Sequence, residues 1–164
     1  MYDPEKAHYL VATCILVKDG KFLIAKRSDK EKNWPSRWTV PGGKLERNGY
    51  KSRSHDTPEK QWYNVFEGLV RREVMEEVGL GIKNIKYLTS LAFERDDGDA
   101  TIVVSLYADP EEGEVKLSPE LVEHKWVSLE EAKEHDLIAG IYEELEMLDR
   151  VLKGEEVGEW GKLE

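Results

Sequence analysis

Three features of the sequence predict an α+β fold in a single domain. Strand-like and helix-like segments alternate irregularly, two Asp-Gly turns each lie between β-rich runs, and three further segments carry helix periodicity or helix boundary signals. A length of 164 residues suits one compact domain. That domain is expected over residues 1–153, with 154–164 as a mobile tail. Repeats, low-complexity tracts and linkers are absent from the sequence.

The elements follow in order. Tyr9 to Val17 is apolar and β-rich, Asp19-Gly20 is a hairpin turn signal, and a second strand starts at Lys21 and continues to Ala25. A short strand-like stretch, Trp38-Thr39-Val40, precedes Pro41-Gly42-Gly43. Val65 to Val78 is rich in helix formers and stops at Gly79. A second hairpin runs from Ile85 through Phe93, across Asp96-Asp97-Gly98-Asp99, to Thr101–Tyr107. Lys125-Trp126-Val127 reads as a short strand, and Ser128-Leu129-Glu130-Glu131 as a capping box. Apolar residues at 141, 145, 148 and 152 mark one face of a last helix.

Composition excludes several function classes. With 34 Asp and Glu against 24 Lys and Arg, the net charge is -10, which argues against a duplex nucleic-acid binder, since that needs a basic face. The lone cysteine, Cys14, lies in an apolar strand, so neither an internal disulfide nor a four-cysteine zinc site can form. No apolar run approaches the roughly 20 residues of a membrane span, and the first residues do not read as a signal peptide. The expectation is a cytoplasmic protein that does not contact membranes.

Arg72-Glu73-Val74-Met75-Glu76-Glu77-Val78-Gly79-Leu80 carries the chemistry. On a helix, Glu73, Glu76 and Glu77 at i, i+3 and i+4 share one side, where their charges repel. Three such glutamates alone read as a solvated acidic face. The alternative is a site for a cation that prefers oxygen ligands, such as Mg²⁺ or Mn²⁺, which typically bridges carboxylates to substrate phosphates. Upstream, Pro41-Gly42-Gly43-Lys44-Leu45-Glu46 lets the backbone bend sharply and approach a ligand closely. Together these segments resemble the Nudix box of the Nudix hydrolases, G-x5-E-x7-R-E-U-x-E-E-x-G-U with U aliphatic, and Arg72 to Leu80 matches every specified position of its second half.

The chain departs from that pattern between the halves. The pattern spans 23 residues and Gly43 to Leu80 spans 38, so 15 are inserted. Counting back from Arg72 puts Asn64 where the middle glutamate belongs. The preferred reading extends the helix back to Thr57 as N-cap and Pro58 as first helical residue, with Trp62, Phe66 and Leu69 continuing its apolar spacing and Asp56 as the middle carboxylate. The rival starts the helix at Asn64, with Glu67 completing a capping box, after one long loop. The middle carboxylate is then Glu67 or absent.

The resemblance implies an α/β/α sandwich with a central mixed sheet over roughly residues 8–153, and hydrolysis of a nucleoside diphosphate linked to another group with divalent cations. It assigns metal ligation to Glu73, Glu76 and Glu77 with the Gly42 and Gly43 backbone nearby, and a loop-fixing role to Arg72. Glu120, six residues before Trp126, is the expected base or further ligand, with Glu123 next. His124 reads as a surface strand residue. Expected substrate contacts are Lys26, Arg27, Trp38, Gly43 and Lys44; Trp34 and Phe93 are further aromatics that could stack on a base. Lys51, Arg53, His55 and Lys60 form a basic island in the insertion, read as a solvated loop or a phosphate-steering lid.

Relatives that cleave ADP-ribose often carry a proline about sixteen residues past the box, where this chain has Asp96. Those that cleave dinucleoside polyphosphates often carry a tyrosine slightly further on, and none lies between Ala92 and Leu106. A (d)NTP pyrophosphatase is therefore the first reading, ADP-ribose or a nucleotide sugar the second. The intact glutamate set argues against a non-catalytic nucleotide-binding module. Many relatives are dimers, so a homodimer is compatible with the resemblance.

Overall fold

A computed structural model describes residues 1–161 of the protein. In chain order the elements are β1 (Tyr9–Lys18), β2 (Lys21–Arg27), β3 (Trp38–Thr39), β4 (Gly42–Lys44), α1 (Arg47–Lys51), α2 (Val65–Val78), β5 (Ile82–Glu94), β6 (Ala100–Pro110), β7 (Leu121–Val127), α3 (Leu129–Ala132) and α4 (Ile141–Leu152). The strands form one mixed sheet in the order β3-β2-β1-β6-β5, with β4 also paired to β1 and β7 to β2.

Both expected hairpins form. Asp19 and Gly20 take φ of 52° and 73°, the left-handed pair that a two-residue type I′ turn requires. β1 runs parallel to β6 along its length, from Tyr9 opposite Thr101 to Leu16 opposite Ala108. Its other edge is divided: Val11–Thr13 pair antiparallel with β4, and only Val17 and Lys18 pair with β2. The Cys14 amide donates to the Pro41 carbonyl at 2.8 Å and Leu45 to Leu10 at 2.7 Å. The Pro41–Leu45 segment is thereby stitched to the central strand instead of hanging as a free loop.

Alternation along β1 divides the core between two faces. Ala12, Cys14 and Leu16 pack with Leu69, Val70, Val74 and Val78 of α2, while Ile15 packs with Leu145, Met147 and Leu148 of α4. The result is the expected α/β/α sandwich. Burial pushes the Cys14 thiol up to about 12, so it behaves as an apolar core group. On the α4 face, Ser105 donates to the buried Glu144 carboxyl at 2.6 Å and Thr13 donates to Ser105 at 3.4 Å. Burial raises the Glu144 carboxyl above the ordinary range, while the Ser105 hydrogen bond opposes the rise.

The expected helix extending back to Thr57 does not form. α2 begins at Val65, after Asn64 at φ 54° with no side-chain cap, so the shorter helix is correct but its expected capping box is not made. The cause lies in the polar residues upstream, whose side-chain bonds compete with helical ones. The Asp56 carboxylate accepts from Arg53 Nη1 at 3.0 Å and from the Tyr63 amide at 2.8 Å, and Thr57 Oγ1 accepts from the Gln61 amide at 3.3 Å. Trp62 leaves the helical stripe: its ring centroid lies 5.5 Å from that of Tyr50, and its Nε1 donates to the Arg53 carbonyl at 3.1 Å.

Downstream elements agree more closely. Gly79 ends α2 at φ 72°. Ser128 and Glu131 form the expected capping box at 3.2 and 3.3 Å. α4 spans Ile141–Leu152 as read. β7 is longer than expected, reaching back to Leu121. Past α4, Arg150 bonds Glu155 at 2.7 Å and Val157 packs against the α4-side core. Residues 162–164 of the expected tail lie outside the described residues. Among the described residues, no helix is long and apolar enough to cross a membrane.

Candidate active site

The glycine segment and α2 meet through two carboxylates. Gly42 donates its backbone N–H to Glu77 Oε1 at 3.3 Å. A methyl group on Gly43 would stand 2.4 Å from Glu73 Cδ, so the Glu73 carboxylate lies directly on that backbone. Gly42 is equally constrained, since a Cβ there would meet the Ala12 carbonyl oxygen at 2.6 Å. The two glycines are thus needed for close approach, one to the central strand and the other to a carboxylate.

Removing these carboxylates from water penalises their charged forms. Glu77 is pushed up to about 8, first by burial and then by the Glu73 and Glu120 charges, against the Gly42 N–H, which lowers it. Glu73 is raised by burial and by the Glu76 charge, with Arg72 opposing. Arg72 Nη2 lies 3.6 Å from Glu73 Oε1, and Arg72 Nε lies 3.9 Å from Glu76 Oε1. Glu76 itself is solvent-facing.

The segment between β6 and β7 passes the end of α2 and brings up Glu120. Lys116 donates to the Val78 carbonyl at 2.8 Å and Ser118 to the Glu77 carbonyl at 2.9 Å, while the Glu120 carbonyl accepts from the Ser28 amide at 2.8 Å. Glu120 is exposed, and its charge is felt at Glu77. Glu123 stands further along, in β7 opposite Lys26, and pairs with Lys125 at 3.6 Å. The Ser118 hydroxyl in the segment before β7 is buried and without a hydrogen-bond partner among the described residues; no sequence motif singled it out.

Several expected substrate contacts are placed elsewhere. Trp38 is a core residue, 6% exposed, packed edge-on to His135 with ring centroids 4.8 Å apart, so it offers no face for stacking. Arg27 is engaged by its own loop, donating to the Asn33 carbonyl at 2.9 Å and meeting Glu31 at 3.3 Å. Lys26 is half-buried in β2, paired with Trp38 and Glu123 across the sheet. Lys44, next to Gly43, is exposed, and its Nζ sits 5.6 Å from the Tyr9 ring centroid. Asp56 is held within the insertion by the Tyr63 N–H and by Arg53, which depress its carboxyl.

Mutually repelling carboxylates around a glycine backbone form an oxygen-only donor set, which fits a divalent cation of the Mg²⁺ or Mn²⁺ kind. Among the described residues, no three His, Cys, Asp or Glu side chains already converge on one point as a metal cluster. Glu73 and Glu77 instead stand against the Gly43 and Gly42 backbone, and Glu76 pairs with Arg72. A bound divalent cation would offset the repulsion among these carboxylates and favour their ionised forms.

A family model described as NUDIX domain matches residues 8–148. Among solved structures, a MutT protein from Methanosarcina mazei Go1 is 26% identical, covering 91% of this chain and 98% of its own, with a TM-score of 0.67. A MutT NUDIX hydrolase from Burkholderia pseudomallei is 21% identical, covering 87% of this chain and 99% of its own, at TM-score 0.68. The NUDIX domain of Shewanella oneidensis NrtR, solved with ADP ribose, is 19% identical, covering 93% of each chain, at TM-score 0.64. No curated protein matches the chain at a significant level.

Proposed function

Since this chain belongs to the Nudix hydrolase family, we propose that it is a divalent-cation-dependent pyrophosphohydrolase of nucleoside diphosphates carrying a further group, with (d)NTPs as first substrate class. The observation that carries this reading is the half-buried Glu73 and Glu77, set against Gly43 and Gly42. Partial desolvation of neighbouring like-charged carboxylates costs stability, and such groups concentrate at functional sites.

In this reading Glu73, Glu76, Glu77 and the Gly42 carbonyl hold Mg²⁺ or Mn²⁺, with Glu120 as further ligand or base. When bound, such an ion supplies charge neutralisation at phosphoryl oxygens and lowers the pKa of water. The chain's own residues do the rest. The rigid β4 backbone fixes where Glu73 and Glu77 stand, Arg72 holds Glu73 and Glu76, and Glu120 takes the proton of the attacking water. Gly43 lets a phosphate approach the backbone, and Lys44 and Lys26 add positive charge near it.

The MutT-named neighbours and Asp96 in place of a proline favour a (d)NTP, cleaved to a monophosphate and pyrophosphate. The likeness to a domain solved with ADP ribose supports the second reading, ADP-ribose cleaved to AMP and a sugar phosphate. Incubation with Mg²⁺ and a panel of nucleotides, with products identified by chromatography, separates the two. Absence of turnover on every member of the panel would leave neither standing.

A further inference from the structure

We propose that Gly49 is a positioning residue: it leaves open the space against α1 in which the Arg72 guanidinium lies, and so holds Arg72 between Glu73 and Glu76. This rests on the reading of those glutamates as the cation-binding set. A methyl group on Gly49 would stand 2.6 Å from Arg72 Nη1 and 3.4 Å from both Cζ and Nη2. Gly49 lies in the middle of α1 and is not among the glycines at positive φ, so backbone conformation does not demand a glycine there. In a helix interior glycine is unfavourable relative to alanine, and the guanidinium supplies a reason for it at this position.

Gly49 also stands six residues after Gly43, where the family pattern places its middle glutamate. The 15-residue insertion follows directly, and side-chain hydrogen bonds and an aromatic contact hold it together. α1 is tied to β1 at one end through Leu45 and the Leu10 carbonyl, 2.7 Å. At its other end Tyr50 packs on Trp62, and Arg53, Asp56 and the Tyr63 backbone interlock. With α1 anchored at both ends, an added side chain at position 49 moves Arg72 and leaves the helix where it is. In place of a box carboxylate that would pair with the arginine, this chain seats the arginine on a helix backbone. Its two carboxylate contacts are then those of its own helix, Glu73 and Glu76.

The test is a double-mutant cycle over wild type, Gly49→Ala, Arg72→Ala and the double variant, with Gly68→Ala as control, since Gly68 is helical with open space around it. In chelator-treated, metal-free protein, Gly68→Ala raises the melting temperature by roughly 1–4 °C in either background. Gly49→Ala gives that rise only when Arg72 has been removed. Mn²⁺ titration then shows Gly49→Ala weakening binding on the order of tenfold when Arg72 is present, with no further effect in Arg72→Ala. An equal rise in melting temperature in both backgrounds, or Mn²⁺ binding unmoved by Gly49→Ala, overturns the proposal. If wild type binds no Mn²⁺, the cation-site reading falls, while the seat is judged on the metal-free melting cycle alone.

Discussion

Glu77 holds a proton near neutrality because its surroundings penalise charge more than the Gly42 amide rewards it. A carboxyl raised from 4.5 to about 8 binds more protons folded than unfolded between those values. Stability from this group is therefore complete below the unfolded value and is lost as pH rises through the folded one. Chelator-treated protein should lose stability between about pH 5 and pH 8, Mg²⁺ should restore it at the upper end, and Glu77→Gln should flatten the dependence. Urea unfolding at several pH values measures this; a stability independent of pH and Mg²⁺ in wild type would contradict it. Glu76 is solvent-facing, so its removal costs little fold stability. Glu76→Gln should lower kcat/KM on the order of a hundredfold, the scale on which one preorganised charge-stabilising group acts, with the melting temperature nearly unchanged.

Elements differ in how openly the sequence declared them. Both hairpins were legible because Asp-Gly turns and β-rich runs are local signals, and α4 because its apolar face recurs at helical spacing over twelve residues. The Nudix-box helix was legible from Arg72 to Gly79, and so were the glutamates that meet the glycine segment. The insertion was not. Trp62, Phe66 and Leu69 mimic a helical stripe, but Trp62 is drawn to Tyr50 and Asp56 to Arg53, and pairings of this kind, closed by side chains, leave no periodic trace. Trp38 was misread for a similar reason: an aromatic beside a glycine segment looks like a stacking platform, whereas its register against Lys26 turns it into the core. Two predictions follow at this scale. Trp62→Ala should expose residues 52–63 to limited proteolysis while shifting the global melting temperature little, because the cluster lies outside both cores. Leu148→Ala, at a fully buried α4 position, should cost about 2–5 kcal/mol in urea unfolding.

The whole molecule carries a formal charge of -10 and is proposed to act on an anion. In the proposed reading, cations at the acidic face of α2 reconcile the two by offsetting the carboxylates that repel one another there. The sandwich supplies the rigid part of that arrangement: β4 stitched to β1 on one side, and α2 pressed onto the sheet by Val70, Val74 and Val78. The central claim is that this face works as a cation-dependent pyrophosphohydrolase site. Its most direct test is release of pyrophosphate from a dNTP by chelator-treated wild type and Glu77→Gln, with and without added Mg²⁺. The account predicts turnover by wild type only when Mg²⁺ is present and a large loss in Glu77→Gln. Turnover that persists in chelator, or that Glu77→Gln leaves unchanged, would contradict it.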